Sequence, residues 1–213
     1  MNSPIILIAG GTGVGTSYFA LELAKHFNMP NVMSTDSIRE VIRSVVHPSI
    51  NQTIQNSTYQ AGQTENYRKK SIEIRKAEIL RGYKIQCKAV EVGIEGVIRR
   101  AIVENQPLII EGAHIIPGKF SESSLYKENS DRFIEYLIFI SNPDIHRKRF
   151  IQREKDAPQR EVKKYLKNFK EIRWINDYLV SRAKRFPCII KIDNIVAKEK
   201  GVEKILREYY LKQ

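Results

Sequence analysis

Residues 10–17 read GGTGVGTS, with glycines at 10, 11, 13 and 15 and a serine at 17. Glycines at this density let consecutive backbone N–H groups turn toward one anion, and a helix starting behind them adds its dipole. The general phosphate-loop pattern is G-x-x-x-x-G-K-[ST]. Gly10 to Gly15 and Ser17 fit it, but Thr16 stands where the lysine should be. Gly10, Gly11, Thr12, Gly13, Val14, Gly15, Thr16 and Ser17 are thus the expected cradle for the phosphates of ATP, with Ser17 as a Mg2+ ligand. The alternative is a turn without ligand, which would need fewer glycines.

Other chemistry-bearing residues recur at comparable points. In STDSIREVIR (34–43), Asp36, Arg39 and Arg43 are spaced to share one side of a helix, while Ile38, Val41, Ile42 and Val45 take the other. One carboxylate and two guanidinium groups suit a substrate carrying both a hydroxyl and an acidic group. Ser37 with Glu40 would make a capping box and leave Asp36 free for chemistry; the competing reading makes Asp36 itself the cap. PLIIEGAHIIPG (107–118) ends an apolar strand in Glu111, a candidate Mg2+ neighbour or an ordinary strand-end carboxylate. His114, beside two isoleucines, is a candidate substrate contact or a structural histidine.

DIHRKRFIQREKDAPQR (144–160) concentrates cations in a helix and the loop after it. Arg149 and Arg153 lie four apart and point together, with Arg147 beside them. Such a cluster can close over a transferring phosphate as a lid, here placed at about 143–160. A solvated basic face is the alternative.

These residues need a scaffold, and the hydrophobic pattern supplies one. Apolar runs at 4–10, 31–35, 107–112, 133–140 and 188–193 read as strands. Between them the pattern predicts helices at 16–27 (with Phe19, Leu23 and Phe27 on one face), at about 37–46, at 143–153 and at 160–185. Residues 66–105 read as two helices broken near Gly82 or Gly93, 47–65 as a long polar loop, and 197–212 as a closing helix. Alternating strands and helices imply an α/β fold with a parallel sheet covered on both faces and the phosphate loop at its carboxyl edge.

Bulk properties agree. The 213 residues suit one domain, 1–213, with 42% hydrophobic and 28% charged residues. Two cysteines, at 87 and 188, have neither disulfide-framework nor zinc-site spacing. The N-terminus has no basic region and only a short apolar run, so a cytoplasmic protein without a membrane span is expected. A net charge of +12 attracts polyanions, but no basic-aromatic module marks a nucleic-acid binder.

The motifs together, from about residue 5 to 194, resemble the archaeal 2-phosphoglycerate kinase family. The carrying stretches are GGTGVGTS, STDSIREVIR, STYQAG, GYKIQCKAVEVGIEGVIRRA, EGAHIIPG, HRKRFIQR, KYLKNFKEIRWINDYL and IDN. The glycine loop and arginine helix are generic to small phosphate-loop kinases; STDSIRE, EGAHIIPG and YLKNFKEIRWINDYL are more specific. The resemblance implies a P-loop NTPase of the adenylate-kinase-like type, with a five-stranded parallel sheet and an arginine lid. It implies ATP- and Mg2+-dependent phosphorylation of the 3-hydroxyl of 2-phosphoglycerate, giving 2,3-bisphosphoglycerate. Family members can carry an extra N-terminal nucleotide-binding module, and this chain, starting at its first strand, is expected to be a short form without it.

The resulting expectation assigns Asp36 to the attacking hydroxyl, Arg39, Arg43 and His114 to the acid, Ser17 and Glu111 to Mg2+, Arg147 to the nucleotide, and Arg149 and Arg153 to the transferred phosphate. The expected partner is a phosphorylated three-carbon acid, with neither membrane nor nucleic acid; oligomeric state stays open. Two rivals remain: a kinase for another small acid or nucleotide, and a non-catalytic phosphate or nucleic-acid binder in which Thr16 marks a dead loop.

Overall fold

The short apolar runs become strands of one sheet. The computed structural model describes residues 2–156, 162–195 and 203, and of 153–156 the backbone alone. In chain order the elements are β1 (Ile5–Ala9), α1 (Thr16–His26), β2 (Val32–Ser34), α2 (Thr35–Val45), α3 (Ile72–Val103), β3 (Leu108–Gly112), α4 (Ser124–Lys127), β4 (Phe133–Phe139), α5 (Pro143–Asp156), α6 (Val162–Lys167), α7 (Phe169–Ala183) and β5 (Ile190–Asp193). The sheet order is β2-β3-β1-β4-β5, and every pairing is parallel, with Leu7 opposite Ile110 on one side and Glu135 on the other. The five strands at 4–10, 31–35, 107–112, 133–140 and 188–193 are thus found, each trimmed by a few residues.

Period-two alternation divides the core. Ile6, Ile8, Ile109 and Ile138 pack against Phe19, Ala20 and Leu23 of α1. Ile5, Leu7, Ile110 and Leu137 face α3 and α7 through side chains such as Tyr83, Val90, Ile94, Ile172 and Leu179. All of β1 and β3 is buried, which explains why both read as continuous apolar runs rather than alternating ones. Both faces carry helices, as expected.

Four local expectations need correction. Residues 72–103 form one helix, not two. A Cβ at Gly82 would lie 2.4 Å from Gly62 N and 2.5 Å from Ala61 O, so this glycine serves close approach of a loop to an unbroken helix. Conversely, 160–185 is interrupted: Asn168 turns its amide back to Lys164 O (2.8 Å), ending α6 before α7 begins. The cap of α2 is Ser34, which accepts from Asp36 N at 3.2 Å, so the helix starts at Thr35 and Ser37 is already inside it. Finally, Ile38 is buried and Ile42 packs on the core, but Val41 and Val45 are 67% and 78% exposed, so the apolar stripe of α2 is narrower than its sequence implies. The polar stretch at 47–65 contains short 3-10 turns at Gln52–Gln55 and Thr58–Gln60. The closing helix expected at 197–212 lies outside the described residues, save Glu203.

Candidate active site

All the strand ends that matter emerge on one rim, because the sheet is parallel. There the glycine loop, the start of α2, the end of β3 and α5 enclose a cavity of about 390 Å3, lined by residues including Gly10 to Gly13, Gly15 to Ser17, Asp36, Thr58, Glu111 and Arg149. Gly13 (φ +86) and Gly15 (φ +101) occupy the left-handed region, where a side chain would be strained. Gly15 ends the loop as the residue before α1, with no side-chain cap. The N–H groups of the first turn, Thr16 and Ser17 among them, therefore lack intrahelical partners and suit an anion.

The loop is held from behind by its carbonyls. His146 Nε2 donates to Thr12 O at 2.9 Å, and Asn194 Nδ2 donates to Val14 O at 2.8 Å. Arg149 Nη1 also donates to Val14 O, at 3.2 Å, and its Nη2 donates to Asn194 O. Burial pushes His146 down to about 4, so the ring is neutral and donates from Nε2, while Arg173 Nη1 lies 3.4 Å from Nδ1. Phe150 stacks between His146 and Tyr165, at ring separations of 5.2 and 5.0 Å. A Cβ on Gly13 would meet the Phe150 ring at 2.4 Å, so the aromatic stack forms the floor of the loop.

Beside the loop, Ser17 Oγ donates to Glu111 Oε1 at 3.0 Å. Thr16 and Ser34 hydroxyls also hydrogen-bond Glu111 and favour its charged form, but burial outweighs them, aided by nearby Asp36, and the carboxyl is raised. A carboxylate so placed is short of positive charge. Ser17 and Glu111 fit a Mg2+ ion completed by phosphate oxygens and water, which is how that ion is commonly held. Among the described residues no cluster of three or more His, Cys, Asp or Glu would hold a metal by itself. Thr16, in the lysine position, is buried against the same carboxylate.

Asp36 reaches the cavity mouth from the first turn of α2. Its side chain is 70% exposed; the Arg39 guanidinium (Nε) and the neutral His114 ring (Nδ1) each lie 3.9 Å from its carboxylate. Partial desolvation raises its carboxyl against the pull of Arg39.

The remaining expected residues lie around this centre rather than inside it. Arg39 Nη1 donates to the carbonyls of Ile54 (3.0 Å) and Asn56 (3.3 Å), and its other nitrogen pairs with Glu40. Arg43 also pairs with Glu40. His114 is buried between Thr35 Oγ1 (3.1 Å) and Gln86 Oε1 (3.2 Å), and burial pushes it down to about 3. Arg147 places its guanidinium over the Phe169 ring at 4.6 Å. None of these four lines the cavity, whereas Arg149 does and is the one cation lining it among the described residues. Arg153 lies on α5, with its side chain outside the described part, and lid residues 157–160 are outside it altogether.

Sequence reasoning missed His146, Asn194, Arg173 and Thr58. Thr58 Oγ1 lies 3.4 Å from Thr12 Oγ1, and the first three act on main-chain carbonyls, an interaction that no residue pattern announces. All four lie in stretches that carry the family resemblance (STYQAG, HRKRFIQR, KYLKNFKEIRWINDYL and IDN), which was the available hint.

No family model matches the chain. Curated relatives do: a protein of Methanocaldococcus jannaschii named 2-phosphoglycerate kinase is 38% identical over 198 residues, covering 91% of this chain and 61% of its own length. One of the same name in Pyrococcus horikoshii is 36% identical, covering 98% of this chain and 65% of its own. The chain thus spans about three fifths of the length of these relatives. Among solved structures, the shikimate kinase of Acinetobacter baumannii, in complex with shikimate, is 13% identical with a TM-score of 0.51, covering 99% of this chain and 95% of its own. An uncharacterized protein from Eubacterium ventriosum scores 0.51 at 17% identity, with 97% of each chain covered. Among the described residues no helix is long and apolar enough to cross a membrane. By sequence over nearly its whole length the chain is a relative of the archaeal 2-phosphoglycerate kinases, and it has the parallel five-stranded fold of the P-loop kinases.

Proposed function

We propose that the protein transfers the γ-phosphoryl group of ATP to the 3-hydroxyl of 2-phosphoglycerate, giving 2,3-bisphosphoglycerate. The observation that carries this reading is the meeting, in one cavity, of the glycine loop, the Ser17–Glu111 pair and the carboxylate of Asp36. The names of the curated relatives supply the acceptor. Loop N–H groups hold the phosphates, and Asp36 orients the acceptor hydroxyl and accepts its proton, helped by a raised pKa. When bound through Ser17 and Glu111, Mg2+ supplies charge to the β- and γ-phosphates. Arg149, beside the loop, takes over the electrostatic work of the absent lysine, with Arg153 and Arg147 as further members of a lid at 143–160. Arg39, Arg43 and His114 form the acceptor side, all three through the groups they hold in place. Phosphoryl transfer needs little covalent help, so positioning and charge carry most of the rate. The chain acts as a single kinase domain in the cytoplasm, where ATP is supplied.

ADP release in the presence of Mg-ATP and a panel of small acids tests the proposal. The expected result is turnover with 2-phosphoglycerate above all other acids, including 3-phosphoglycerate. Turnover with a different acid alone would overturn the acceptor; no turnover with any would favour a non-catalytic binder.

A further inference from the structure

A second open cavity, of about 360 Å3, lies between the segment after Thr58 and α6. Its lining includes Arg68, Lys163, Lys164 and Lys167, with the amides of Gln60, Gln63 and Asn168, and no carboxylate. A run of lysines on one helix is ordinarily a solvated face, but here the cations converge from two separate segments on one recess. Lys163 and Lys167 are four apart on α6, a like-charge spacing that costs a helix free energy unless something offsets it. Among the described residues none of the three lysines forms an ion pair with a carboxylate. The wall between them is fixed: Asn168 Oδ1 accepts from Gln63 Nε2 at 3.0 Å and from Arg68 Nη2 at 3.1 Å, and Arg68 Nη1 lies 3.6 Å from buried Glu171. Arg68 is therefore anchored, while the lysine heads and the Gln60 amide remain to meet a ligand.

The recess also shares its walls with the first cavity. The Thr58–Gln60 turn shows Thr58 to the glycine loop and Gln60 to the recess; α6 shows Tyr165 inward and its lysines outward. We propose that this recess is a second anion site, separate from the glycine loop, that takes a small phosphate-bearing acid. A recess with several cationic donors and no carboxylate suits a compact, multiply charged anion, whose binding weakens with salt. The ligand is either the acceptor of the proposed reaction, approaching across the shared wall, or a separate phosphate compound. Only the first of these rests on the function proposed above.

The test uses the whole chain saturated with Mg2+ and a non-hydrolysable ATP analogue, so that the glycine loop is filled. Inorganic phosphate and 2-phosphoglycerate are then titrated calorimetrically into the unmutated protein and a Lys163→Gln, Lys164→Gln, Lys167→Gln variant. The expected result is binding by the unmutated protein and a loss of at least about tenfold in the variant, with affinity for the ATP analogue unchanged; a tenfold loss is the scale of one charge-assisted contact. Equal affinity in both proteins, or no phosphate binding once the analogue is bound, would overturn the site. The KM for 2-phosphoglycerate then separates the sources. A rise matching the binding loss assigns the site to the acceptor, and an unchanged KM alongside lost phosphate binding assigns it to a separate ligand. Because the titration needs no turnover, a protein inactive on every acid would defeat the proposed reaction and leave the site to be judged by binding alone.

Discussion

The glycine loop and the start of α2 face one cavity, yet they are held in opposite ways. The loop is fixed through its carbonyls by His146, Asn194 and Arg149, and its floor is an aromatic stack. Asp36 has one cation, Arg39, and the neutral His114 ring at 3.9 Å, but a side chain 70% open. The first region is organised before ligand arrives, which spares nucleotide binding the cost of ordering a flexible loop. In the function proposed above, the second keeps a carboxylate available to the hydroxyl of the acceptor. A rigid donor side and a free acceptor side are what the proposed transfer between two ligands requires.

The largest break expected is at Arg149, which belongs to both functions by holding Val14 O and lining the cavity. Arg149→Ala should cut kcat by about 10³–10⁵, the range for an arginine at the transferring group. Thr16→Lys should restore part of that loss by bringing charge to the position the pattern reserves for it. If Arg149→Ala lowers stability and leaves kcat of the folded fraction near normal, the residue is a prop for the loop and nothing more.

Asp36→Asn comes next, with a loss of about 10²–10⁴ in kcat and nearly unchanged thermal stability. Ser34 already caps α2, so stability should not register the change. A drop of about 1 kcal/mol with turnover intact would put Asp36 on the structural side of the comparison.

Gly13→Ala probes the loop alone. The left-handed backbone costs a side chain about 1–2 kcal/mol, and the clash with Phe150 adds to it. Both lower stability and higher KM for ATP are expected, with KM for the acid little changed; unfolding curves with and without ATP would show whether the loop has given way.

The gentlest probe is pH. His146 and His114 are neutral in the fold, at about 4 and about 3, against an ordinary histidine near 6.5. Unfolding lets each take up a proton, so their contribution to stability is whole above about 6.5 and is lost as pH falls through 6.5 toward 4. Stability curves of the unmutated protein should bend downward across that window, and His146→Gln should flatten the bend at the cost of a lower plateau. A bend that is the same in both proteins would mean that His146 is not buried neutral behind the loop.

The sheet and the loop were legible because each rests on a local pattern: buried apolar runs for the strands, glycines and Ser17 for the loop. That Glu111 and Asp36 lie on one rim was legible because strand ends in a parallel sheet share an edge. What escaped depends on contacts between distant segments. Gly82 reads as a breaker until the loop at Ala61 is seen against it, and Ser37 reads as a cap until Ser34 is found one turn earlier. Arg39 and Arg43 do share a side of α2, but spacing cannot say that Arg39 would bind the carbonyls of Ile54 and Asn56. His146 opens the HRKRFIQR stretch, but its role was hidden because its partner is a backbone oxygen 134 residues away in the chain.

The central claim is that this loop, with threonine for lysine, still supports transfer of the γ-phosphoryl group from ATP to a phosphorylated acid, releasing ADP. Phosphorus NMR of the purified chain with Mg-ATP and 2-phosphoglycerate tests it most directly. The account predicts loss of the γ-phosphate signal and growth of a second phosphomonoester signal on the three-carbon acid, in equal amounts. A γ-phosphate that persists, or that appears only as inorganic phosphate while the acid keeps a single phosphate, would contradict it.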